Sequence, residues 1–178
     1  AWTTTPWTLP SNLALCVNPE ITYVKVKQGD YTYYMAKELC EKVLGEDYTI
    51  LEEMPGKSLE YKEYEPLYPY ALNKLNGKKA FIVTCDDYVT TTDGSGIVHM
   101  APAFGEDDSR VCREYGIAFV QFVDAKGCMT ADTDWPGVFV KKADPKILKD
   151  LEEKGLLFSA PNFEHSYPHC WRCDTPLL

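Results

Sequence analysis

No apolar run in this 178-residue chain approaches the ~20 residues that a bilayer-spanning helix needs, and no secretory leader pattern opens it. An excess of cations is missing too. Lys and Arg number 18 against 27 Asp and Glu, a formal charge of −9. Tight unaided binding to long nucleic acid needs clustered cations that release counterions, so this balance argues against it. It leaves room for a grip on one nucleotide end. The chain also lacks a P-loop, a Gly-x-Gly-x-x-Gly turn, a Gly-x-Ser-x-Gly elbow and a His-Glu-x-x-His pair. A nucleoside-triphosphate enzyme, a serine hydrolase and a zinc protease therefore have no support in the sequence. Internal repeats and low-complexity tracts are absent.

The composition that remains is globular. Apolar residues make up 45% and aromatics 13%, which excludes a disordered or fibrous chain. At roughly 150 residues per domain, residues 1–178 read as a single domain able to close its own core. The seven cysteines (16, 40, 85, 112, 128, 170 and 173) are odd in number and irregular in spacing. They fit reduced thiols in a cytoplasmic protein better than a disulfide framework, the first five being core packing. Residue 1 is not Met, and Pro176-Leu177-Leu178 stops inside an apolar segment, so the sequence reads as a domain cut from a longer chain.

Strand signals dominate. Alternation over 21–27, a Gln28-Gly29-Asp30 turn and the tyrosine-rich 31–34 predict a hairpin. Short β-rich runs follow at 48–51, 80–84, 88–92, 96–100, 119–123 and 138–140. Three helices are expected: 36–44 ending at Gly45, 106–115 ending at Gly116, and one starting with Asp144 as cap and Pro145 in its first turn and ending at Gly155. The fold class this implies is α+β, mainly β, with a β-barrel-like core and peripheral helices.

Chemistry concentrates in three places. The segment 2–12 gathers threonine hydroxyls, the Asn12 amide and two indoles. In a strand, Thr3 and Thr5 share one face and Thr4 takes the other, while Pro6 and Pro10 pull the stretch out of a sheet. A pocket of neutral donors and acceptors can be built this way, although a Thr-rich edge strand is the plainer account. The segment 94–108 reads as a turn, a buried strand ending at His99, a Pro/Gly loop and an acidic helix start. Asp107 and Asp108 lie at the positive end of a helix dipole, which favours their ionised form. They can cap the helix, and a spare carboxylate there suits a substrate ammonium group; His99 alone is more often a satisfied core histidine. The third place is 165–173, where Cys170 and Cys173 supply two thiolates and His165 and His169 the only nearby nitrogens. Structural zinc takes four ligands, so this reads as half a zinc site.

Taken in this order and at these separations, the three blocks resemble the editing insertion (connective polypeptide 1) of isoleucyl-tRNA synthetases. Thr3-Thr4-Thr5-Pro6-Trp7-Thr8-Leu9-Pro10-Ser11-Asn12 resembles the family's threonine-rich peptide. Gly96-Ile97-Val98-His99 and Ala101-Pro102-Ala103-Phe104-Gly105-Glu106-Asp107-Asp108 resemble its second editing peptide. The segment from His165 to Cys173 resembles the strand returning to the synthetic core, within a return segment 160–178. The related insertions of the valine and leucine enzymes carry Thr-Thr-Arg-Pro and then an acid. Here Thr5 and Trp7 stand at those two places, which favours the isoleucine branch. At Met100 the family more often carries a polar residue.

The resemblance implies hydrolysis of valine wrongly esterified to tRNA(Ile). Valine and isoleucine differ by one methylene, known for this enzyme family to be worth only ~1–3 kcal/mol in a pocket. It further implies that Asp108 anchors the α-ammonium and that Thr3, Thr4, Thr5 and Asn12 line the ester and terminal ribose. Trp7, Thr8 and His99, with Phe104 beside them, would form the wall admitting a valine-sized side chain, and Tyr167 would contact the terminal adenosine. Editing so described needs no cofactor, and any zinc at Cys170 and Cys173 would belong to the full-length protein. The implied partners are the 3′ end of mischarged tRNA(Ile) and the remainder of the synthetase, with no membrane, in the cytoplasm. The competing expectation is a non-catalytic module presenting the tRNA 3′ end. A zinc-ribbon interaction fragment comes third, favoured by Cys170 and Cys173 alone.

Overall fold

In the computed structural model, which describes residues 1–162 and 169–173, six strands follow one another. They are β1 (Ala14–Val17), β2 (Thr22–Gln28), β3 (Tyr31–Ala36), β4 (Thr49–Pro55), β5 (Ile82–Cys85) and β6 (Val98–Met100). The α-helices are α1 (Cys40–Leu44), α2 (Glu106–Glu114) and α3 (Val140–Glu153). The class is α+β with two small sheets. The chain divides into two compact units, Ala1–Thr3 with Ser11–Val120, and Thr4–Pro10 with Gln121–Leu178. His165 and Tyr167 lie outside the described residues.

Both sheets belong to the first unit. Every residue of β1 is apolar, which suits a strand covered on both faces, and β1 is central. It pairs parallel with β5 and antiparallel with β6, where Leu15 faces His99 across the ladder. Each outer strand gains one further bridge, Glu63 on Ile82 and Trp2 on Val98. The second sheet has the order β3-β2-β4, and the expected hairpin is its β2–β3 pair, turning at Gly29 (φ 58°). The two sheets share one core, with Val17 and Ile97 contributed from the first, Tyr23, Val24, Val26 and Met35 from the second, and Cys40 and Leu44 from α1. Burying each large apolar side chain contributes ~1.5–3 kcal/mol. The Tyr23 hydroxyl stays satisfied by donating to the Gly96 carbonyl at 2.6 Å. A Cβ on Gly96 would lie 2.5 Å from that of Ala36, so the end of β3 can approach this turn only at glycine.

In the second unit, two isolated bridges, Val123 with Met129 and Cys128 with Phe139, lead into α3. The helix buries Val140, Ala143, Ile147 and Leu151, a single stripe at helical spacing.

Several expectations change in detail. Among the described residues no barrel closes; the barrel-like core takes the form of two open three-stranded sheets on one core. Residues 88–92 form no strand, 119–123 contribute only the bridge at Val123, and 138–140 run from the bridge at Phe139 into a helix. Helix α3 begins at Val140, five residues before Pro145, because the Phe139 carbonyl already accepts from the N–H groups of Lys142 and Ala143. Asp144, expected as its cap, is inside the helix and used elsewhere. The 36–44 helix opens as a 3-10 turn, Lys37–Leu39, before α1. Of the five cysteines expected in the core, Cys16, Cys40 and Cys112 are buried, while Cys85 and Cys128 are half-buried.

Candidate functional site

In the first unit the site residues gather around β6 and the loop after it. His99 sits mid-strand, 6% exposed, opposite Leu15. Its neighbour Asn12 precedes β1 and makes three assignments at once. The Asn12 Nδ2 group donates to the Ala14 carbonyl at 2.9 Å and meets His99 Nδ1 at 2.8 Å. The Tyr64 hydroxyl donates to Asn12 Oδ1. A carbonyl can only accept, so the Ala14 contact fixes which end of the amide is the amine. His99 Nδ1 must then be the acceptor, and the neutral ring carries its proton on Nε2. Burial holds the imidazole down at about 3. His99 is thus a neutral donor at physiological pH. Protonation would set its Nδ1–H against the Asn12 amine. Tyr64, whose phenol burial pushes above its usual range, was not singled out by any sequence pattern, since it reaches Asn12 from 52 residues away.

One residue past His99, Met100 is fully buried and accepts the Tyr88 hydroxyl on its sulfur at 3.1 Å, which explains a thioether where a polar side chain was expected. The loop then turns, with the Phe104 N–H donating to the Ala101 carbonyl, and Gly105 opens α2. Asp108 folds back over this loop. Its Oδ2 accepts the Ala101 N–H at 2.7 Å. A Cβ on Gly105 would come 2.9 Å from Asp108 Cγ, so glycine is what admits the carboxylate here. The helix dipole was expected to favour the ionised form of Asp108. Burial outweighs it and raises this carboxyl above the usual range, with the charge of Asp107 adding to the rise. Thr3 and Phe104 are half-buried, and Ser11 holds a buried hydroxyl with no hydrogen-bond partner among the described residues.

Residues 3–5 are in no strand, so the two-face alternation of Thr3, Thr4 and Thr5 does not apply, and a 3-10 helix, Pro6–Ser11, follows them. Both prolines are compatible with its φ, which explains the choice. The Thr8 hydroxyl donates to the Thr5 carbonyl at 2.8 Å, leaving the Thr5 hydroxyl to donate to Thr8 Oγ1 at 3.1 Å. The Trp7 N–H donates to Asp144 Oδ1 at 2.8 Å, and burial raises the Asp144 carboxyl. Trp7 and Thr8 are buried and Thr4 is exposed.

The structure thus joins Asn12 to His99, Asp108 to the loop after β6, and Thr5 to Thr8. At the far end of the chain Cys170 is half-buried and Cys173 exposed, on either side of a turn. Among the described residues no set of three or more His, Cys, Asp or Glu side chains is placed to hold a metal ion. Two thiols fall short of a tetrahedral zinc set.

No protein-family model matches the chain. It is 51% identical over 179 residues to isoleucine–tRNA ligase of Clostridium novyi (strain NT), covering all of this chain and 17% of that protein. It is also 51% identical over 189 residues to the cytoplasmic isoleucine–tRNA ligase of Mus musculus, covering all of this chain and 15% of that protein. The chain therefore spans about a sixth of the length of these relatives. Among solved structures it resembles GlLeuRS-CP1, with a TM-score of 0.71 and 15% identity over 90% of this chain and 83% of that one. The editing domain of the P. knowlesi cytosolic leucyl-tRNA synthetase follows with 0.61 and 14%, over 85% and 80%.

Proposed function

Because the chain is related along its whole length to isoleucyl-tRNA synthetases and has the fold of a synthetase editing domain, we propose that it hydrolyses the ester of valine misattached to tRNA(Ile). An aminoacyl ester is already activated, so no protein nucleophile is required. Water adds to the carbonyl carbon, the bond to the ribose oxygen breaks, and the ribose hydroxyl leaves with a proton. The protein's part is to position the ester and aim donors at the developing oxyanion. No cofactor enters this chemistry. The same reading makes the partners the tRNA 3′ end and the rest of the synthetase, in the cytoplasm.

The observation that carries the proposal is Asp108. Its carboxyl is held up by burial with one oxygen on a backbone N–H, so an arriving ammonium group offsets the burial and restores the charged form. The neutral ring of His99 suits a wall of the acyl pocket: it donates a hydrogen bond and takes no proton, so it is not the general base. Within the first unit, Thr3 and Asn12 take the ester and ribose and Phe104 the acyl wall.

The test is hydrolysis of 3′-O-valyl-adenosine and of valyl-tRNA(Ile) by the wild type and by Asp108→Ala. Loss of a charged partner lowers the rate about a hundredfold or more, with circular dichroism unchanged. Full activity in Asp108→Ala removes the ammonium anchor. A wild type that binds a terminal-adenosine analogue yet hydrolyses neither ester above background establishes the non-catalytic module instead.

A further inference from the structure

The chain has three arginines, and the first unit deals with two of them very differently. Arg110 on α2 is spent on carboxylates: it binds Asp86 through both nitrogens and also reaches Asp107 and Glu114. Arg113, less than one turn along the same helix, has only the Ser109 hydroxyl at 3.4 Å among the described residues. It lines a cleft of about 250 Å³ together with Lys78, Phe119, Pro102 and Ser109. The third, Arg172, lies over the Trp171 ring.

Three pieces of backbone hold this cleft open. The turn at Asn76 and Gly77, both at positive φ, is closed by the Lys78 N–H on the Leu75 carbonyl and presents Lys78. The next residue bridges to Ile117, and the Ala118 N–H donates to the Lys79 carbonyl at 2.8 Å. Gly116, at φ 69°, turns the chain out of α2 so that 117–120 runs beside it. Along that run Ile117, Ala118 and Val120 are buried while Phe119 is 62% exposed. In a chain that carries nine more acids than bases, no carboxylate among the described residues lines the cleft.

Two cations with no carboxylate partner among the described residues, beside an exposed aromatic ring, are the chemistry of single-stranded nucleic-acid binding: a guanidinium fork and an ammonium for a phosphodiester, and a π-face for a base. We propose that this cleft holds an unpaired nucleotide of the tRNA acceptor end upstream of the terminal adenosine. Arg113 and Lys78 take its phosphodiester and Phe119 stacks on its base. The proposal rests on the tRNA-editing reading. Pro102 and Ser109 immediately follow Ala101 and Asp108 in the chain, so the cleft shares its wall with the Asp108 loop. Charge complementarity selects RNA over an apolar protein segment, and the exposed ring selects RNA over a bare anion.

The test is fluorescence anisotropy of a short single-stranded RNA ending in CCA, titrated onto the 178-residue chain over a range of salt. Arg113→Gln, Lys78→Gln and Phe119→Ala are compared with the control Lys149→Gln, whose side chain pairs with Glu153 on α3. Arg113→Gln weakens binding about tenfold and lowers the salt slope by about 0.7, as loss of one phosphate contact requires. Phe119→Ala weakens binding to a similar degree and leaves the slope unchanged, since stacking releases no counterion. With valyl-tRNA as substrate, the loss falls on KM while kcat holds. The proposal is overturned if the double variant Arg113→Gln, Lys78→Gln binds the RNA with wild-type affinity and slope. It is equally overturned if an acidic peptide competes for the cleft where RNA does not. Either result leaves the Asp108 test standing, whereas loss of that test with RNA binding intact removes the deacylase reading alone.

Discussion

Asp108 and Asp144 are a matched pair with different employment. Each lies in an early turn of a helix, each accepts one backbone N–H at 2.7 or 2.8 Å, and burial raises each carboxyl. Asp108 ties down a loop seven residues away, whereas Asp144 holds a segment 137 residues away in sequence. The first bond closes a local turn that the chain would make at little entropic expense. The second joins both ends of the second unit, a closure that costs more chain entropy. Perturbed carboxyls mark candidate sites, and structural bonds perturb carboxyls as well.

The sharpest way to break this comparison is activity. Asp108→Asn keeps an oxygen for the Ala101 N–H and removes the charge, and it lowers kcat/KM for valyl ester hydrolysis about a hundredfold. Asp144→Asn, which keeps its oxygen for the Trp7 N–H, changes it by less than about threefold. Equal losses in the two variants abolish the distinction. Gly105→Ala belongs with the first variant: its methyl displaces the Asp108 carboxylate and lowers hydrolysis while the φ of −155° accepts alanine without strain.

Stability reverses the order. Asp144→Ala leaves the Trp7 N–H unanswered and frees the 3-10 helix from α3, at a loss of about 2 kcal/mol in unfolding free energy by urea titration. Asp108→Ala loses a bond across a seven-residue turn that the Phe104 N–H on the Ala101 carbonyl also holds, so its change stays under about 1 kcal/mol.

The pH dependence sharpens the pair further. A carboxyl whose folded value is raised binds its proton more tightly when folded. The folded state is therefore favoured below the ordinary value of 3.8 and loses that advantage as pH climbs from there through the raised value. Asn does not titrate. The stability of Asp144→Asn relative to wild type should thus be higher at pH 7 than at pH 3, by urea midpoints at the two pH values. A relative stability that falls between pH 3 and pH 7 contradicts the burial argument.

How far these features could be read in advance depended on the reach of the contacts that make them. The 21–34 hairpin, α2 with its stop at Gly116 and the end of α3 at Gly155 are local, and local patterns announced them. Asp144-Pro145 has the form of a cap and first-turn proline, yet α3 starts at Val140 and the side chain that would cap is engaged by Trp7. Residues 88–92 and 119–123 have strand composition without a neighbouring strand along their length, and β propensity cannot supply one. The motifs around His99 and Asp108 were visible as motifs. Their electrostatics were not: the dipole argument for Asp108 used only its own helix, and the raised carboxyl follows from what covers it.

The smallest effect probes what no local pattern could contain. Tyr64→Phe removes the donor to Asn12 Oδ1, a hydrogen bond worth about 1 kcal/mol, and leaves a buried amide oxygen unanswered. The amide then has less reason to keep its amine toward Ala14 and His99, and the ring is freer to exchange its proton between nitrogens. Nitrogen NMR should report wild-type His99 as the Nε2–H form throughout pH 5–8, with Tyr64→Phe showing a mixture. Because the folded value is held near 3 against an ordinary 6.5, protonation favours the unfolded chain, so His99 destabilises the fold as pH falls from 6.5 toward 3. Asn12→Ala should make that loss smaller and end it at a higher pH, since the ring no longer has an amine facing the nitrogen that must take the proton. A wild-type His99 that titrates near 6.5, or that carries its proton on Nδ1, breaks the network and with it the exclusion of His99 as general base.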